Sequence, residues 1–185
     1  MTGAEALATW LLTARPGAGI EDAGATRVLS AVCGTPVTAQ IKSRRARPLT
    51  ASEAGMLAAR AGAACHERRG LLVAGPQEVA AQVTAVLIPS RLPAEALARL
   101  GIGERGEPAA PAGEVPLGRA VAGLGIYREP LMVSLTPGRR DMRGREQVLC
   151  SIARLWYDGP AGLVIERIYR ALLDAHPGPW PGCPA

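Results

Sequence analysis

Phenylalanine is absent from this chain, and aromatic residues of all kinds make up only 3% of it. A core of stacked rings is therefore excluded, and the interior must be built from Ala, Leu, Val and Ile. The same scarcity speaks against a platform that stacks unpaired bases, which interleaves aromatics with cations. Cysteine is sparse, at Cys33, Cys65, Cys150 and Cys183, and no two stand at C-x-x-C spacing. The two histidines, His66 and His176, have no metal-ligand spacing between them. Structural zinc and disulfides are not expected, so the metal set is read as none. Cys65 and His66 are neighbours, but neighbouring residues of a strand point to opposite faces, which argues against a nucleophilic pair. No apolar run reaches ~18 residues and no basic leader precedes an apolar stretch, so a cytoplasmic protein without a membrane partner is expected.

Lysine is almost absent too. Lys42 is alone against twenty arginines, and the net charge is +5. Arginine with abundant Ala, Gly and Pro reflects in part a GC-rich coding bias. The basic balance suits an anionic ligand and is weak support for nucleic acid, which is not expected as a partner. With 185 residues, 48% of them hydrophobic, the chain can bury a sizeable core and is not disordered.

Helical spacing is read over Ala4 to Ala14 and Ala23 to Cys33, where Val28, Leu29 and Val32 form the apolar face. Val37 to Arg47 alternates as a strand. Thr50-Ala51-Ser52-Glu53 is a capping box that opens a helix running to about Arg60. Cys65 to Ala74 and Glu78 to Ile88 read as strands joined by Gly75-Pro76-Gln77. Short helices follow at Pro93 to Leu100 and at Pro116 to Leu124, separated by a Gly- and Pro-rich mobile loop from Gly101 to Glu114. Tyr127 to Thr136 is a strand, and Pro137 to Gly144 a solvated loop. Gln147 to Tyr157 and Leu163 to Leu172 form a last hairpin through Asp158-Gly159. The pattern predicts an α+β fold with one mainly antiparallel sheet, in a single domain over residues 1–176 with an irregular Pro-rich tail over 177–185.

Glu166 is the residue that stands out within this frame. In Leu163-Val164-Ile165-Glu166-Arg167-Ile168-Tyr169 the carboxylate shares one strand face with Val164 and Ile168. A buried carboxylate needs a proton or a partner. Three readings follow: a proton donor with a raised pKa, a structural partner of a nearby arginine, or a wet residue on an edge strand.

Four stretches, in order, resemble the chorismate pyruvate-lyase family, whose fold is shared with ligand-binding domains of some bacterial transcription regulators. They are Gly24-Ala25-Thr26-Arg27-Val28-Leu29, Arg69-Gly70-Leu71-Leu72-Val73 with the strand ending Val86-Leu87-Ile88-Pro89, Val115-Pro116-Leu117-Gly118-Arg119, and Leu163-Val164-Ile165-Glu166. The resemblance spans roughly residues 8 to 172. It implies a six-stranded antiparallel sheet with helices and flap-like segments closing over a buried ligand. It also implies a cofactor-free lyase that converts chorismate to 4-hydroxybenzoate and pyruvate, as a monomer or homodimer. The family's ligand-binding arginine falls on Arg69 and its essential glutamate on Glu166. Its Pro-Leu-Gly segment falls on Leu117 and Gly118, and its N-terminal ligand contact near Ala25 and Thr26. Of a further basic set only Arg154 remains. That thinner basic lining leaves open a close anionic analogue as substrate, a repurposed family member in secondary metabolism, or a non-catalytic small-molecule-binding protein. The roughly 35 residues before the first strand are too few for a winged helix, which favours the enzyme.

Overall fold

The computed structural model describes residues 2–13, 25–75, 78–109, 115–178 and 180. Six strands form one sheet: β1 (Val37–Pro48), β2 (Ala64–Ala74), β3 (Glu78–Leu87), β4 (Tyr127–Arg140), β5 (Glu146–Trp156) and β6 (Pro160–Tyr169). Their order is β1-β2-β3-β6-β5-β4 and every neighbouring pair is antiparallel. The expected α+β architecture with a six-stranded antiparallel sheet is present.

Helices gather on one face. There, α1 (Gly3–Thr13) buries Leu7 and Leu11, and α2 (Ala25–Cys33) buries Ala25, Val28, Leu29 and Val32. Both join Leu72, Ala81, Leu149 and Ile168 of the sheet in one apolar cluster. Further along the same face α4 (Ala94–Leu100) and the single turn α5 (Leu117–Ala120) pack on Ala85, Leu87, Leu155 and Val164. On the opposite face α3 (Ala51–Met56) covers one end, where Leu49, Ala54 and Leu57 meet Cys65, Val86 and Leu163. The expected capping box is formed. Thr50 Oγ1 accepts from the Glu53 N–H, and the Glu53 carboxylate accepts from the Thr50 N–H.

Several boundaries differ from the sequence expectation. β4 continues through Pro137 to Arg140, because it is an edge strand and needs no donor from that proline. β6 stops at Tyr169, and α6 (Arg170–Ala175) follows, turning Leu172 back into the helix-side core. α5 ends after one turn, with Gly123 and Gly125 at positive φ beyond it. The start of the Gly101–Glu114 segment is folded. Ile102 bridges Pro108, and Gly106 at φ +88° lies against the Cys65 carbonyl, where a Cβ would come within 3.0 Å. Of the Pro-rich tail, Trp180 is buried in the core and donates to the His176 carbonyl at 2.8 Å. Gly24, Pro76, Gln77, residues 110–114 and Cys183 lie outside the described residues.

Candidate functional site

Registration decides which side chains meet. On the helix-covered face Gly70 of β2 lies opposite Val83 of β3, Val83 opposite Glu166 of β6, and Glu166 opposite Ser151 of β5. Arg69 belongs to the other row, opposite Thr84, which in turn faces Ile165. Arg69 and Glu166 therefore stand on opposite faces of the sheet, which corrects the expectation that they share one site. Neighbouring residues of a strand alternate, so of the Arg68–Arg69 pair it is Arg68 that stands on the Glu166 face. Arg154 is likewise on the other face. It binds Glu129 at 2.7 Å, stacks on Trp156 and donates to the Met56 carbonyl.

The remaining expected site residues come together. Ala25 and Thr26 at the start of α2, Leu117 and Gly118 of α5, and Glu166 line one cavity of about 40 Å³, with Leu72, Val83, Val164 and Arg128. Glu166 is buried and paired. Arg128 donates to its Oε2 at 2.9 Å and to Ser151 Oγ at 2.8 Å, and the arginine side chain is 1% exposed. Of the three readings of Glu166, the structure selects the partnered carboxylate. Its partner is Arg128, which reaches it from β4 across β5. No spacing in the sequence signals that contact, because it joins strands that are distant in the chain.

On the other side of Leu117 a second cavity, of about 30 Å³, is lined by Arg68 with Ala39, Ile41, Gly70, Leu72, Val83, Ala85 and Pro116. Arg68 is 6% exposed. Its Nη2 donates to the Val115 carbonyl, while Nε and Nη1 are buried with no hydrogen-bond partner among the described residues. Burial, helped by the nearby Arg44 charge, pushes its pKa down to about 10. A buried guanidinium without a carboxylate is costly unless an anion supplies one. Leu72, Val83 and Leu117 border both cavities, two from the sheet and one from α5.

Among the described residues a set of donors close enough together to hold a cation lies elsewhere. Cys33, Glu78 and His176 bring one ligand atom each within 4.8 Å of one another. Glu78 and His176 already meet in a hydrogen bond at 3.0 Å, and burial pushes the Cys33 thiol up to about 11, away from the thiolate a metal would need.

No family model and no curated protein matches this chain. Solved structures do. The chain resembles PhnF from Mycobacterium smegmatis at a TM-score of 0.54 and 14% identity, over 79% of this chain and 63% of that one. The effector domain of the same protein matches at 0.56 and 14%, over 80% of this chain and 89% of that one. The ligand-binding domain of a putative GntR-family transcriptional regulator from Bordetella bronchiseptica matches at 0.51 and 16%, over 71% and 84%. Identities this low establish the fold alone, and it is the fold that the lyase family was expected to share with regulator domains. The expectation of an enzyme is overturned. Two of the similar structures are an effector domain and a ligand-binding domain, and the Arg69–Glu166 pair on which lyase chemistry was placed is divided by the sheet. Among the described residues no helix is long and apolar enough to cross a membrane.

Proposed function

We propose that this chain is a non-catalytic binding domain for a small anionic molecule, a sensor of the kind that regulators use. The observation that carries the proposal is Arg68, a buried guanidinium that lines an apolar cavity and has two nitrogens, Nε and Nη1, without a hydrogen-bond partner among the described residues. A carboxylate or phosphate on the ligand completes it, since arginine takes such groups in bidentate fashion. Leu72, Val83 and Leu117 hold the apolar body of the ligand, and Ala25, Thr26 and Gly118 close the far end. The Arg128–Glu166 pair is the polar end wall and does no proton chemistry in this reading.

The two cavities are each about the size of one water molecule. A ligand larger than that must displace side chains of the shared lining, and Leu117 sits there on the single turn α5. Binding and movement of α5 are then one event, which is what a sensor requires of its site. The similarity to an effector domain and a ligand-binding domain supports the same reading.

Isothermal titration with a panel of small aromatic and aliphatic carboxylates and phosphomonoesters tests it. A ligand bound by the wild type is expected to lose roughly 2–5 kcal/mol of affinity in Arg68→Gln. Arg69→Gln, on the other face, is expected to bind as the wild type does. Equal losses in both variants, or a ligand bound as well by Arg68→Gln as by wild type, would remove Arg68 from the site.

A further inference from the structure

The face of the sheet opposite α1, α2, α4 and α5 carries a trough of about 890 Å³. Its lining holds nine Lys or Arg side chains and three carboxylates, an excess of six positive charges, whereas the whole chain has a net charge of +5. The net positive charge of the molecule is thus concentrated in this one depression, and the remainder is close to neutral. Coding bias explains why the cations are arginines, but not why they converge.

Two buried or nearly buried carboxylates organise the rims. On β2 Glu67 accepts from Arg45, Arg47 and Arg69, at 2.8–3.0 Å. At the β4–β5 turn Asp141 accepts from Arg145 at 2.7 Å and from the Tyr169 hydroxyl at 2.9 Å. Between these anchors Arg139, Arg143 and Arg167 line the trough and make no ion pair among the described residues. The floor beside them is Leu71, Gln82, Thr84 and Ile165, neutral and free of aromatic rings. Arg69 on β2 and Arg167 on β6 are two strands apart and two residues out of level, which sets their backbones at about 12 Å.

We propose that this trough is a second ligand site, for a compact anion bearing two or more phosphate groups. A volume in the small-molecule range fits such a ligand. Guanidinium groups on both rims fit phosphate oxygens at its two ends. The absence of stacking rings in the lining disfavours an unpaired nucleic acid strand, and the walls at α3 and at the β4–β5 turn bound the trough at both ends. The site is separate from the Arg68 cavity, with the sheet between them, and does not depend on the reading of that cavity.

Inorganic triphosphate is the probe, with orthophosphate and a DNA duplex of about 20 base pairs as comparisons, titrated calorimetrically at about 0.05 M and about 0.2 M salt. Triphosphate is expected to bind at least about tenfold more tightly than orthophosphate. The double variant Arg139→Ser/Arg167→Ser is expected to lose roughly a hundredfold in triphosphate affinity with an unchanged thermal melt, about a factor of ten for each charge-assisted contact. Arg68→Gln and the control Arg60→Ser/Arg105→Ser, two exposed arginines outside the trough, should bind triphosphate as the wild type does. Equal loss in the control pair would reduce the effect to overall charge and overturn the proposal. So would a duplex bound more tightly than triphosphate through the same two arginines, which would make the trough a nucleic-acid surface, and so would undetectable triphosphate binding.

Discussion

Glu67 and Glu166 are both buried glutamates in central strands, at 2% and 4% exposure, and they stand on opposite faces of one sheet. Glu67 gathers three guanidinium groups, whose side chains are 58%, 16% and 49% exposed for Arg45, Arg47 and Arg69. Among the described residues Glu166 has one ion-pair partner, Arg128, as deeply buried as itself. The same carboxylate chemistry therefore serves two ends. On the open face, charge is held near water by several interchangeable partners. On the closed face, a single pair is sealed in the core, where neither member can turn to solvent if the other is removed. Redundancy and solvent access, rather than burial of the carboxylate, distinguish the two.

The largest expected effect follows from the sealed pair. Arg128→Met leaves the Glu166 carboxylate without its cation and should cost roughly 3–5 kcal/mol in urea denaturation. The double change Arg128→Met/Glu166→Leu should recover most of that loss, because two apolar groups need no partner. A single variant within about 1 kcal/mol of wild type would mean that the pair is less isolated than its geometry indicates. Glu67→Gln comes next. It removes an anion hydrogen-bonded by three arginines, but those arginines reach water and Arg47 keeps Glu53 at 2.6 Å. A loss of about 1–3 kcal/mol in the same denaturation series is expected.

Acid should weaken the open face through its paired carboxylates. Burial pushes the Glu67 carboxyl up, but the hydrogen bonds from Arg69, Arg47 and Arg45 outweigh it and hold the pKa below its usual value. The Arg47 hydrogen bonds bring Glu53 down to about 2. At Asp141, burial again pushes upward, and the donors from Arg145, Tyr169 and Arg143 prevail to bring it to about 2. A carboxyl depressed in the folded state contributes stability above its unfolded pKa and loses it as pH falls through the folded one. Stability is therefore expected to decline from about pH 4.5 toward about pH 2, with Glu53, Glu67 and Asp141 of the open face as contributors. Denaturation midpoints across that range check it, and Glu67→Gln should flatten the slope.

What was legible in the sequence also divides along the two faces. Strand alternation placed Val164, Glu166 and Ile168 on one face of β6, and Ala25, Thr26, Leu117 and Gly118 do share a cavity with Glu166. Alternation also states that Arg68 and Arg69 point apart. It does not state which of them shares the Glu166 face, since β2 carries apolar residues on both sides: Leu71 and Val73 with Arg69, Leu72 and Ala74 with Arg68. Only the ladder through Val83 decides that, and pairing register is a property of three strands together. Arg128 was missed for a related reason, as its contact crosses a whole strand. The basic trough was invisible because its cations come from β1, β2, β4, β6 and the β4–β5 turn, scattered through the chain as ordinary surface charges.

The smallest expected effect is the sharpest test of redundancy. Arg45 is the most exposed of the Glu67 partners, and its ion pair at 2.9 Å is made in contact with solvent. Exposed pairs contribute about 0–1 kcal/mol, because water screens the attraction and ordering a long side chain opposes it. Arg45→Ala should therefore change stability by less than about 1 kcal/mol, since Arg47 and Arg69 still satisfy Glu67. Raising the salt from about 0.1 M to about 1 M should erase even that difference by shortening the screening length. Arg128→Met should keep most of its loss at either salt concentration, because ions do not reach the sealed pair. Equal salt sensitivity in the two variants would show that Glu166 and Glu67 share one electrostatic environment, and the distinction between an open and a sealed carboxylate would then fall.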